Sequence, residues 1–183
     1  MDIIKFQNQT ITGNVNKESG TISGVSLISN VYGEAKGHGV KIDEASIESF
    51  YNQTKDKKIR AYYTHDDSND ALDAVGWFEN IRIEKEDDVV SLRGDFVALE
   101  SFRNHQEHLF DSLMQLASES PSLVHLSAEF HADYIGYDAE GKEYEITNFS
   151  EEEEIFIRCR ECHAFSFVSN GATNDSLYSK EAN

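Results

Sequence analysis

Apolar and polar positions alternate most regularly between Leu123 and Ala132. Val124, Leu126, Ala128, Phe130 and Ala132 fall on one side and His125, Ser127, Glu129 and His131 on the other, the period-two pattern of a strand with one buried and one polar face. Shorter runs rich in β-branched and aromatic residues predict further strands at 21–29, 59–63, 144–146 and 155–168,. The runs 75–83 and 89–99 flank Glu84-Lys85-Glu86-Asp87-Asp88, which predicts an antiparallel hairpin with a charged turn. Helical spacing appears twice. Asp43 is a candidate N-cap for a helix carrying Ile47 and Phe50 and ending near 53–57, and Glu44 suits its positive start,. Leu109, Phe110, Leu113, Leu116 and Ala117 mark one face of a second helix over 104–118, which Pro121 closes,. Glycines punctuate loops at 32–40 and 136–141,.

These elements predict an α+β fold: a mainly antiparallel β-barrel or sheet surrounded by a few helices. Residues 1–20 are polar and read as a flexible or loosely packed N-terminal segment, 21–179 as one domain, and 180–183 as a tail. The polar stretch from Asn174 onward is expected to be mobile. No repeat of 20 to 50 residues is visible.

Composition narrows the partners. The 183 residues include 16 basic and 34 acidic side chains, a net charge of −18, which disfavours nucleic acid because a phosphate backbone would be repelled. No segment approaches the roughly 20 apolar residues of a membrane span, and the N-terminus lacks a basic region followed by an apolar run, so a cytoplasmic origin is expected. With 39% hydrophobic residues the chain can still form a core,. Two cysteines three positions apart cannot supply the disulfide framework of a small secreted domain.

Three constellations could carry chemistry. Cys159-Arg160-Glu161-Cys162-His163 matches the C-x-x-C-H haem-attachment pattern,, but it lies between apolar runs that read as sheet interior and no export signal accompanies it. The same residues, with His105 and His108 or His125 and His131, could supply zinc ligands. A second tight ligand pair is missing, because His105 and His108 sit beside Gln106 and Glu107 on what reads as a solvated helix face. The third candidate is Ser127 as a nucleophile. A serine needs a base within hydrogen-bond reach and a third group to hold that base. His125 and His131 share its strand face and point parallel to it, so a histidine from another strand suits the role better.

Taken in order, Tyr62-Tyr63-Thr64-His65-Asp66, the hairpin beginning Val75-Gly76-Trp77-Phe78, a helix, His125-Leu126-Ser127-Ala128-Glu129-Phe130, and Cys162-His163-Ala164-Phe165-Ser166-Phe167-Val168 resemble the phage prohead proteases. Those enzymes share the fold and nucleophile order of herpesvirus assemblin. The segments Gly33 to Gly39 with Ile42-Asp43, and Gly171-Ala172-Thr173 with Leu177-Tyr178, are similar as well, so the resemblance spans about residues 22–179.

The resemblance implies an assemblin-like serine endopeptidase that works without metal or organic cofactor. It gives Ser127 as nucleophile, His65 as general base and His163 as the orienting third member, with Glu161 or Asp66 as acidic alternatives for that third role. Assemblin positions its oxyanion-stabilising water with arginines, where this chain has Asn170-Gly171-Ala172; backbone N–H groups near Gly171 are the expected substitute. The implied substrates are scaffold and major capsid proteins, and the protease itself, cleaved during head maturation inside a procapsid in the bacterial cytoplasm. A homodimer is a further implication. The rival expectation is a non-enzymatic scaffold or capsid-assembly module with the same fold.

Overall fold

The computed structural model describes residues 14–64, 71–147, 153–174 and 176–178. Among these residues, ten strands form one sheet. β1 (Val15–Asn16), β2 (Thr21–Ser29), β7 (Val89–Ala98), β6 (Gly76–Glu86), β5 (Ile59–Tyr62) and β10 (Phe156–Val168) follow one another across it, and the short β4 (Val40–Lys41) and β3 (Glu34–Ala35) continue from β10. β8 (His125–Tyr137) pairs with β10 along nearly its whole length and with β9 (Glu143–Glu145) at its end. Among the described residues there are three α-helices, α1 (Glu44–Thr54), α2 (Glu100–His105) and α3 (Glu107–Glu119), and two short 3-10 turns at Ala71–Asp73 and Pro121–Leu123.

The architecture is α+β, but the sheet is mixed and does not close into a barrel. β10 runs parallel to β5, with Arg60 beside Ala164 and Tyr62 beside Ser166, and parallel to β4 at Phe156. Period-two alternation reports which side chains are buried and carries nothing about the direction of the neighbouring strand, so an antiparallel expectation could not detect these pairings. The predicted second helix is two helices broken at Gln106, each without a side-chain N-cap. The expected charged turn is also tighter than its sequence suggests. Glu84, Lys85 and Glu86 belong to β6, and only Asp87-Asp88 turns the chain, with Asp87 at φ 53°. Among the described residues, no helix is long and apolar enough to cross a membrane.

The inner face of the sheet is aromatic. Phe78 packs on Phe96 and Phe165 at ring-centroid distances of 5.7 and 5.6 Å, Phe96 on Phe167 at 5.1 Å, and Phe50 of α1 on Phe130 of β8 at 4.8 Å. Offset and edge-on ring pairs of this kind add to the free energy of burying their area.

Helix α1 is anchored at its start. Asp43 accepts the Ser46 backbone N–H at 2.7 Å and Ser46 Oγ accepts the Asp43 N–H, which completes a capping box,. Arg158 of β10 donates to both Asp43 oxygens, at 2.8 and 3.0 Å, and also to Tyr137 and Glu143. One guanidinium therefore ties α1 to β8, β9 and β10. Burial alone would raise the Asp43 carboxyl, but hydrogen bonds from Arg158, Ser46 and Tyr137 outweigh it and hold the group below its ordinary value.

The C-terminal stretch is ordered where it is described, contrary to the expectation of mobility from Asn174. Leu177 is 0% exposed, its carbonyl accepts the Ser26 N–H at 2.8 Å, and its own N–H donates to the Pro121 carbonyl at 3.0 Å. Asn174 exchanges two hydrogen bonds with Ser26, at 2.9 and 3.2 Å. The segment fills the space between β2 and the start of β8. Its burial was hidden because Leu177 and Tyr178 are isolated apolar residues in a polar stretch with no period of their own.

Two outcomes test this description. Leu177→Ala is expected to lower unfolding free energy by about 2–5 kcal/mol in urea titrations, the range for emptying a buried leucine site; a loss under about 0.5 kcal/mol would mean that the segment does not pack in solution. Asp43→Asn keeps a cap acceptor but loses the ion pair, and should cost about 1 kcal/mol at neutral pH. Because the folded carboxyl is depressed, its stabilisation is complete above the unfolded value of about 3.9 and is lost as pH falls through the lower folded value. The gap between Asp43→Asn and the unaltered chain, measured by thermal melts, should therefore shrink below about pH 4.

Candidate active site

The polar face of β8 and the outer face of β10 are set by their ladder. Phe165 opposes Ala128, Ser166 opposes Ser127 and Phe167 opposes Leu126, so the serine pair lies on the opposite side of the ladder from the phenylalanines, which enter the core. Two β-bulges follow. Register shifts between Cys159 and Glu161, and between Cys162 and Ala164, leave Arg160 and His163 as extra residues on β10,.

Each bulge puts two consecutive residues, Arg160-Glu161 and His163-Ala164, on the same side of the strand,. Cys159 and Cys162 consequently both pack with the core despite their three-residue spacing, and His163 is exposed on the opposite face. A haem held by both thiols and ligated by His163 would need the three side chains on one side, so the haem reading fails. Burial pushes the Cys159 thiol up to about 12 and raises Cys162 as well. Little thiolate is present at neutral pH, which makes the cysteines poor nucleophiles.

Ser127 is half-buried and forms part of the wall of a cavity of about 260 Å³, together with Phe50, Phe130, Tyr134, Thr173 and the exposed His38. Across the ladder its partner Ser166 is 0% exposed and donates to Glu129 Oε1 at 3.1 Å. Tyr62 pairs with Ser166 on the other side. Tyr62, Ser166 and Ser127 thus form one rung across β5, β10 and β8. The chain leaves β5 at that rung; His65 and Asp66 themselves lie outside the described residues.

No family model, curated protein or solved structure matches this chain.

The remaining histidines separate by their surroundings. His163 is three residues from Ser166 along β10, about 10 Å from the Ser127 rung at the rise of a strand; its ring meets His131 at 4.7 Å between centroids, and its Nδ1 lies 3.7 Å from Glu161. His163 therefore stands off the Ser127 rung, and His65, which it was expected to orient, lies outside the described residues. His125 is held by carbonyls on both sides, with Nδ1 3.1 Å from Asn174 O and Nε2 3.1 Å from Ser122 O, and Gly171 packs so closely that an added Cβ would lie 2.8 Å from His125 Cβ. A ring so engaged is not free to accept a serine proton. His105 and His108 are exposed on α2 and α3, away from the other histidines along the chain.

Sequence reasoning did not single out Glu129, Ser166 or His38. Glu129 was visible on the polar face of its strand, but its contact with Ser166 depends on a register that only cross-strand pairing sets. The thiol environment gives a direct check. Iodoacetamide should modify Cys159 and Cys162 much more slowly at pH 8 in the folded chain than in urea; equal rates would show that the bulged strand does not bury them.

Proposed function

We propose that the chain is a serine endopeptidase with Ser127 as nucleophile and His65 as general base. The observation that carries this reading is the rung Tyr62–Ser166–Ser127. Strands in a sheet lie about 4.8 Å apart, so Tyr62 is two strand spacings from Ser127, and His65 follows Tyr62 by three residues. A serine base has to come within hydrogen-bond reach from outside the serine's own strand face, and the chain after Tyr62 is the segment that carries such a histidine in the sequence,. The order of motifs shared with prohead proteases supports the same assignment.

His65 takes the Ser127 hydroxyl proton as Oγ attacks the scissile carbonyl, then returns it to the leaving amine. Water attacks the resulting acyl-enzyme with the same proton traffic in reverse. Backbone N–H groups near Gly171 would stabilise the oxyanion. For the third role the resemblance points to His163, whereas geometry favours Glu129. Its carboxylate reaches Ser166 on the Ser127 rung, and a carboxylate stabilises an imidazolium better than a neutral imidazole does. Scaffold and capsid proteins of a phage head are the substrates that this reading implies, and the cleavage takes place within the procapsid.

A fluorophosphonate probe tests the assignment. Labelling is expected on Ser127, absent in Ser127→Ala, and reduced by at least about a thousandfold in His65→Ala. Labelling that persists in Ser127→Ala sinks the nucleophile; absence of labelling and of scaffold cleavage in the unaltered protein favours the non-enzymatic assembly module. Glu129→Gln should slow labelling more than His163→Ala, and the reverse order would return the third role to His163.

A further inference from the structure

We infer that His131, Glu161 and His163 form a binding site for one late first-row divalent cation of the zinc type, on the outer face of the β8–β10 ladder. The site is independent of the hydrolase reading. Its donor atoms, one from each side chain, lie within 4.8 Å of one another. His131 and Glu161 are direct partners across the ladder, and His163 is the extra residue of the adjacent bulge. A regular strand would place Glu161 and His163 on one face but would leave the cysteines between and beside them on opposite faces. The paired bulges instead gather both polar side chains beside His131 and send both thiols inward.

Two imidazoles and a carboxylate suit zinc, copper or cobalt rather than magnesium or calcium, which prefer all-oxygen shells. Metal–ligand bonds of about 2.0–2.2 Å in a tetrahedral site put donor atoms roughly 3.4 Å apart. The His163 Nδ1 to Glu161 Oε1 distance is already 3.7 Å, and all three side chains are exposed and able to rotate. The backbone positions are fixed by the ladder, so binding orders side chains without ordering chain. Three protein ligands leave a fourth position open toward solvent. The nearest cation on β10, Arg160, is paired with Asp133 at 3.2 Å, which limits its repulsion of a metal. A metal bridging β8 and β10 would stabilise the folded state through linkage.

The test uses tag-free full-length protein. Zinc titration by calorimetry should give one equivalent bound and a raised melting temperature. Affinity should fall at least about tenfold in His131→Ala, in His163→Ala and in Glu161→Gln, and stay unchanged in His105→Ala. Cobalt substitution should give visible d–d bands without the near-ultraviolet charge-transfer band of a thiolate ligand. Unchanged affinity in the His131 and His163 variants, no stoichiometric binding, or a thiolate-to-cobalt band would each overturn the site.

Discussion

The ladder between β8 and β10 joins two strands of 13 residues each, and its register determines the placement of nearly everything else. Backbone hydrogen bonds fix which residues stand opposite one another, and the period of two then assigns every side chain to the core or to solvent. Two bulges interrupt that period within four residues. Without them the cysteines would point to opposite faces and His163 would lie one step out of phase with His131. With them, the oily side of β10 stays continuous from Ile157 through Cys159, Cys162, Phe165 and Phe167, while its polar side gathers the histidines and glutamate.

The ladder has to be held at both ends. At one end Arg158 joins the N-terminus of α1 to β8 and β9 through Asp43, Tyr137 and Glu143. At the other, Asn174 and Leu177 join β2 to the start of β8. The second arrangement hydrogen-bonds the Ser26 hydroxyl and the Asn174 amide, buried polar groups that would otherwise lack partners,. The rung that carries Ser127 lies toward the second end. That is where β5 joins β10 in parallel and hands the chain to the segment containing His65.

Much of the local structure was legible in the sequence because local causes produce it. The Asp43 cap and the Ile47 and Phe50 spacing marked α1 nearly to its ends, and the β8 alternation picked out Leu126, Ala128 and Phe130 as packing with the core, although Ser127 and Glu129 are half-buried as well. The hairpin of β6 and β7 followed from two apolar runs and a charged gap. The parallel pairing of β5 with β10, the break at Gln106 and the burial of Leu177 were not legible. Each depends on partners remote in sequence, and no residue carries a local mark of the strand that will lie beside it.

By itself, the sequence determined an α+β domain with a strongly acidic surface and a polar strand face bearing a serine and two histidines, because propensity, charge and periodicity act within a few residues. Tertiary structure decided which of those groups meet. It set Ser127 opposite Ser166 and within one rung of β5, carried the Glu129 carboxylate to that rung, and turned Cys159 and Cys162 away from His163. The physical reason is that cross-strand register and bulges come from long-range hydrogen bonding and packing, and inserting one unpaired residue on β10 changes the face of the side chains that follow it.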